Sequence, residues 1–295
     1  MADLGSAFVW HQPVQMSFGA GCVEGLPEAL GSRRAVVVAF PMAEELGIEA
    51  RLSRALGDRL VQWVPCPDDI ASLSNALRLC GQVWPVLDAH PDAVLIGIGG
   101  GTVLDLAKVA RCRPVASDGD AIAAALRGKA PWPQLQPATL WLVPTTAGTG
   151  SEVTRWATVW DTDAHPHAKL SLDEPFGYAQ RAWIDPLLTL TCPSEVTRDS
   201  GVDALGHALE SIWNRHANPV SDAIALAARR QLFTHYRWPS TVPMMPKFAP
   251  KSVWPRCRRA SHSHRREPHL RTRSRTSLPW SRVLRTARQS RSGCP

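Results

Sequence analysis

Asp203 and His207 stand four residues apart in the helix-forming run Gly201-Val202-Asp203-Ala204-Leu205-Gly206-His207-Ala208-Leu209-Glu210. That spacing puts a carboxylate and an imidazole on one helix face. Such a pair can form half the shell of a divalent ion, because an ion that keeps a position open for substrate takes three or more protein ligands. On spacing alone, a local hydrogen-bonded or ion pair is the commoner outcome.

Two further clusters could hold an anionic ligand. Gly99-Gly100-Gly101-Thr102-Val103-Leu104-Asp105 follows an apolar run and leads into a helix that begins near Thr102. Without side chains, glycine amides can approach a phosphate closely, and the helix N-terminus adds partial positive charge. The spacing is not GxGxxG, and a glycine turn after a strand is plain turn chemistry about as often. Pro144-Thr145-Thr146-Ala147-Gly148-Thr149-Gly150-Ser151-Glu152-Val153-Thr154 carries more donors and acceptors than a connection requires. It can hold the ribose, amide or phosphate groups of a dinucleotide, although by itself a surface Ser/Thr/Gly loop is the plainer reading. Lys169, Asp173 and Asp185 are further candidates whose plainer reading is surface charge or turn capping; that reading is preferred for Asp173 and Glu174 and stays open for Lys169 and Asp185.

The elements that must position these residues are visible in part. Ala35-Val36-Val37-Val38-Ala39-Phe40 reads as a strand, followed after Pro41 by a helical stretch containing Glu44, Glu45 and Leu46. Ala93-Val94-Leu95-Ile96-Gly97-Ile98 and Thr139-Leu140-Trp141-Leu142-Val143-Pro144 are two more strands. Continuous apolar strands alternating with helical segments indicate an α/β fold with a parallel sheet. After about Pro186 strand signals stop, and Ser194 to Arg230 reads as the opening of an all-helical domain. The expected organisation is an α/β domain over 1–186, the start of a helical domain over 187–230, and a basic tail over 231–295.

Charge marks the last boundary. The chain has 33 Lys+Arg against 26 Asp+Glu, but residues 1–230 hold 18 basic and 25 acidic side chains, whereas 231–295 hold 15 basic and one acid, Glu267. The tail lacks a sustained apolar period and is expected to be mostly disordered. Seven cysteines without a CxxC pair suit a reducing compartment. With no leader at Met1 and no apolar run of about 18 residues, the chain is expected to be soluble and cytoplasmic, with no membrane partner.

Taken in order, GGGTVLDLAK, PTTAGTGSEVT, KLSLDEP and WIDPLLTLTCPSEVTRDSGVDALGHALE resemble the iron-containing (group III) alcohol dehydrogenase family over roughly residues 10–230. The resemblance implies a dinucleotide-binding α/β domain, a helical domain, and Fe(II) or Zn(II) in the cleft between them. On matching positions, Gly99, Gly100, Gly101 and Thr102 would face the pyrophosphate of NAD or NADP, and Thr145, Thr146 and Thr149 would touch the coenzyme. Asp203 and His207 would be the first two metal ligands. The implied chemistry is hydride transfer between nicotinamide and the carbonyl carbon of a small aldehyde or alcohol substrate, with the metal as Lewis acid. Many family members carry an acid at the end of the second strand that binds the ribose hydroxyls. Phe40 stands there in this chain, which leaves both NAD and NADP open. Ser211 to Asp222 resembles, more softly, the branch that reduces phosphonoacetaldehyde; family-typical helix packing around a Trp213 anchor accounts for it equally well.

The resemblance also implies two more His ligands fourteen positions apart, with a third His four after the first for proton transfer. His262, His264 and His269 do not have that spacing. Arg-Thr, however, occurs at Arg271-Thr272, Arg275-Thr276 and Arg285-Thr286, at relative positions 0, 4 and 14. If Arg is CGC and Thr is ACN, the codon across each junction is CAC, which is His. In that shifted frame, permitted codons give His-Ala-Leu-Ala-His from Arg271 to Thr276 and Pro-His-Gly-Lys-Ala-Val-Ala-Val from Leu284 to Ser292. The reading is a frame change near Gln231 to His235, which removes two metal ligands and leaves this chain inactive. A glycerol-dehydrogenase-like polyol oxidoreductase is the nearest rival. A retired scaffold whose Arg-rich tail binds nucleic acid is a rival of another class; the tail has no recognised module, so no nucleic-acid partner is expected. A homodimer is the assembly to test.

Overall fold

Val36-Val37-Val38, Val94-Leu95-Ile96 and Leu140-Trp141-Leu142 are apolar on successive residues, as strands covered on both faces must be, and all nine are essentially buried. The computed structural model describes residues 7–67 and 70–235. The elements run β1 (Gln15–Phe18), α1 (Leu26–Leu30), β2 (Ala35–Ala39), α2 (Ile48–Leu56), β3 (Leu60–Pro65), α3 (Leu73–Ala89), β4 (Val94–Gly99), α4 (Gly101–Ala110), α5 (Gly119–Leu126) and β5 (Thr139–Pro144). They continue with β6 (Trp156–Asp161), β7 (Ala168–Asp173), β8 (Arg181–Ile184), α6 (Ser194–Ile212) and α7 (Pro219–His235).

Six strands form one parallel sheet in the order β1-β8-β5-β4-β2-β3, and β6 and β7 form a separate antiparallel hairpin. Side chains that alternate along each strand feed two cores. Val36, Val38, Leu95, Leu140 and Leu142 meet α3, α4, α5 and the inner face of the hairpin. Val37, Ile96, Ile98, Trp141 and Val143 meet α1 and α2. The chain therefore leaves β2 through α2 on one face and leaves β4 through α4 on the other. The ends of β2 and β4 are a switch point, where open α/β sheets take their ligands.

The three expected strands are present, but the helix after Phe40 starts later than expected. Glu44 to Gly47 is a turn, and α2 begins only at Ile48, after Gly47 in the left-handed region at φ 68°. Beyond Ile184 the described chain is helical, as expected, and α7 continues through His235, past residue 230. Gly201, Ala204, Ala208 and Ser211 are buried on α6, as are Ser221, Ala225, Ala228 and Leu232 on α7. All of these but Leu232 are small, and α6 and α7 pack against each other. Among the described residues no helix is long and apolar enough to cross a membrane, and the five described cysteines are free thiols. The expectations for the tail beyond His235 fall outside the described residues.

Candidate coenzyme site and metal-ligand pair

The glycine turn forms because β4 must stop while α4 lies close over the sheet. Gly97 permits the packing, since a Cβ there would lie 2.8 Å from Ala107 Cβ and 2.9 Å from Leu142 Cδ2. Gly99, at φ 156°, adopts a backbone that side chains disfavour. Gly100 is the N-cap of α4 and no side chain caps it, so the first amides of the helix are left to a ligand or to water.

The threonine loop folds onto this turn. Thr145 N donates to Gly99 O at 2.9 Å. A Cβ on Gly100 would sit 3.4 Å from Thr146 Cγ2, and one on Gly101 would sit 2.7 Å from Thr149 Cγ2. Gly99, Gly100, Gly101, Thr102, Thr145, Thr146 and Thr149 are therefore brought to one place at the switch point. The loop is not a surface connection, because Thr145, Gly148 and every residue from Gly150 to Thr154 are buried. Beside the turn, Val23, Ile48, Leu52, Ile98, Val143 and Leu188 line an apolar slot with Arg51 at its edge. Arg51 Nη2 donates to Glu24 Oε1 at 2.8 Å.

Two α4 side chains that sequence reasoning left without a role fasten the loop from behind. Asp105 Oδ1 accepts from Ser151 Oγ at 2.7 Å, and its Oδ2 accepts from Thr158 N at 2.9 Å. Lys108, fully buried, donates from Nζ to Trp156 O at 2.6 Å and to Thr154 Oγ1 at 3.5 Å. The available signal was the presence of Asp105 and Lys108, three residues apart, in an otherwise apolar helix.

Asp203 and His207 do share a face of α6. His207 Nδ1 lies 3.2 Å from Asp203 Oδ1 and 2.8 Å from Asp203 O. Both side chains are partly exposed. Among the described residues no group of three His, Cys, Asp or Glu is placed to hold a metal. Two donors do not make a catalytic ion site, so the residues in hand do not fit a bound metal by themselves.

The remaining candidates have structural partners. Asp173 Oδ1 accepts from Arg155 Nε at 2.5 Å. Lys169 is exposed on the hairpin opposite Trp160. Asp185 is 1% exposed and caps a turn, its Oδ1 accepting from Gly21 N and Leu187 N, each at 3.0 Å. In the stretch after α6, Asn218 Oδ1 caps α7 by accepting from Val220 N and Ser221 N. Trp213 is 70% exposed rather than an anchor.

Residues 13–186 match the model of the iron-containing alcohol dehydrogenase family. The chain belongs to that family. It is 31% identical to a choline dehydrogenase of Bacillus subtilis, over 73% of this chain and 53% of the relative. It is 30% identical to a sulfoacetaldehyde reductase of Bilophila wadsworthia, over 78% of this chain and 58% of the relative. The chain thus spans little more than half the length of these two relatives. Its fold matches that of a sulfoacetaldehyde reductase from Bifidobacterium kashiwanohense, solved in complex with NAD+, with a TM-score of 0.76 and 23% identity, covering 88% of this chain and 67% of the other.

Proposed function

We propose that residues 7–235 are the coenzyme half and the first two helices of the metal-binding half of an oxidoreductase that interconverts a small alcohol and aldehyde. The observation that carries this is the uncapped N-terminus of α4 behind a glycine turn walled by Thr146 and Thr149. The amides of Gly101 and Thr102 would hold a pyrophosphate, and Thr145, Thr146 and Thr149 would orient the coenzyme. Bound there, NAD(H) supplies a hydride; the protein's part is to fix its position and exclude water. NAD is favoured by the NAD+ complex of the similar sulfoacetaldehyde reductase, and Fe(II) by the family; NADP and Zn(II) are the alternatives. The experiment is a fluorescence titration of the 295-residue chain with NADH and NADPH, and a folded protein that binds neither at millimolar concentration would overturn the reading.

The substrate class we propose is a small aldehyde bearing an anionic group, with phosphonoacetaldehyde and sulfoacetaldehyde the first to test. Two of the similar proteins are sulfoacetaldehyde reductases, and Ser211 to Asp222 resembles the phosphonoacetaldehyde branch.

We further propose that the metal-ligand set begun by Asp203 and His207 is left incomplete because the coding frame changes near Gln231 to His235, hiding three His codons across Arg271-Thr272, Arg275-Thr276 and Arg285-Thr286. Sequencing the gene tests this directly, since Arg codons other than CGC at those three positions would sink it. The 295-residue chain is then without turnover, whereas the restored frame, extended to full family length, recovers metal binding and aldehyde reduction. Asp203→Ala or His207→Ala in the restored protein abolishes reduction and spares coenzyme binding. Turnover of about 1–10³ per second by the 295-residue chain would contradict the account.

A further inference from the structure

We infer that Asp105 and Ser151 form a positioning latch that sets the threonine loop for coenzyme, an inference that rests on the dinucleotide reading of the glycine turn. Asp105 stands one helical turn beyond Gly101 on α4, so the helix that presents its N-terminus to the coenzyme also carries the carboxylate that grips the loop. Ser151 Oγ donates to Asp105 Oδ1 at 2.7 Å, and Ser151 N donates to Thr149 Oγ1 at 3.2 Å. Thr149 Cγ2 in turn fills the space where Gly101 has no side chain. The contacts close a ring, from Gly101 along α4 to Asp105, across to Ser151, back to Thr149 and onto Gly101.

Each link has a distinct effect on the site. The bond from Ser151 N occupies an acceptor position on the Thr149 hydroxyl and so limits where its proton can point. Asp105 Oδ2 accepts from Thr158 N at 2.9 Å, which prevents the carboxylate from swinging away with the loop. Ser151 is 4% exposed, so water does not readily replace its hydroxyl as a donor to Asp105. Lys108 holds the same segment at Trp156 O and Thr154 Oγ1. Asp105 thus acts through Ser151 on Thr149 and is a positioning residue.

The test uses the full 295-residue chain and NADH titration, with thermal unfolding measured in parallel. Ser151→Ala cuts the latch and is expected to weaken NADH binding roughly tenfold, the factor that about 1.4 kcal/mol represents. Ser151→Thr keeps a hydroxyl and should restore affinity to within about threefold of the original. Ser117→Ala, which removes an exposed hydroxyl bonded to Asp88 Oδ2 at 3.3 Å, should leave affinity unchanged. If Ser151→Ala does not fold, Ser151→Cys gives the same comparison. Unchanged affinity in Ser151→Ala, or an equal loss in Ser151→Thr, overturns the latch. Failure of the unaltered chain to bind NADH would instead strike the dinucleotide reading beneath it.

Discussion

Gly148 lies directly against Ser200: a Cβ on the glycine would fall 2.5 Å from both the Cβ and the carbonyl oxygen of Ser200 and 2.8 Å from its Cα. Those distances leave no room for a side chain. The threonine loop and α6 meet there backbone to backbone, one turn before Asp203. The coenzyme loop and the helix bearing the metal-ligand pair are therefore spaced by the absence of a single carbon.

Gly148→Ala should push α6 off the loop. Gly148 does not occupy the left-handed region, so the cost is steric, about 1–3 kcal/mol as for other overpacked sites. Urea unfolding should show that loss, and NADH titration a weaker complex.

Gly101→Ala should separate stability from binding. The new methyl meets the Thr149 side chain, which can turn aside, while the backbone stays helical. Alanine is also favoured over glycine within a helix. Unfolding free energy should change by less than about 1 kcal/mol, whereas NADH affinity should fall at least roughly tenfold as Thr149 moves. Equal affinity would show that Thr149 is not part of the site.

Acid should loosen the hairpin at one identifiable place. Arg127 Nε donates to Asp161 Oδ2 at 2.6 Å, and this bond holds the Asp161 carboxyl below its ordinary range. A depressed carboxyl contributes stability that is fully present above its unfolded value, about 3.9, and is lost as pH falls through the lower folded value. Asp161→Asn should flatten the stability profile below about pH 4 relative to the unaltered chain.

Thiol chemistry should divide the cysteines. Burial pushes Cys112 up to about 12 and raises Cys80 further. Cys22 is pushed up to about 11, mainly by burial and then by the nearby Asp185 carboxylate. Because the thiolate is the reactive form, alkylation of native protein at pH 8 should leave Cys80 and Cys112 unmodified and label Cys22 slowly. Mass spectrometry of tryptic peptides reads the result.

What could be read in advance follows from where each element sits. Val36-Val37-Val38, Val94-Leu95-Ile96 and Leu140-Trp141-Leu142 are central strands buried on both faces, so their composition alone announces them. β1 and β3 are sheet edges with largely exposed or half-buried residues, and β8 has only four residues. In the hairpin, β6 alternates buried and accessible positions, but two accessible ones hold Trp156 and Trp160, which conceals the pattern. The glycine turn and threonine loop announced themselves by their residue types. Asp105 did not, because its partners lie 46 and 53 residues away and appear only when the loop folds back on α4.

The position of β1 shapes how the chain is made. Among the described residues, Gln15 to Phe18 pairs only with Arg181 to Ile184, some 166 residues later. The ribosome adds about 5–20 residues per second, so this strand waits roughly 10–30 s for its partner to be synthesised. During that time the run from Ala7 to Cys22, which contains no Lys, Arg, Asp or Glu, is without the charges that ordinarily keep unpaired strands from associating. The nascent chain should therefore depend on holding chaperones more than its finished sheet suggests, and introducing one lysine at an exposed position, Met16→Lys, should raise soluble yield in a cell-free system without chaperones.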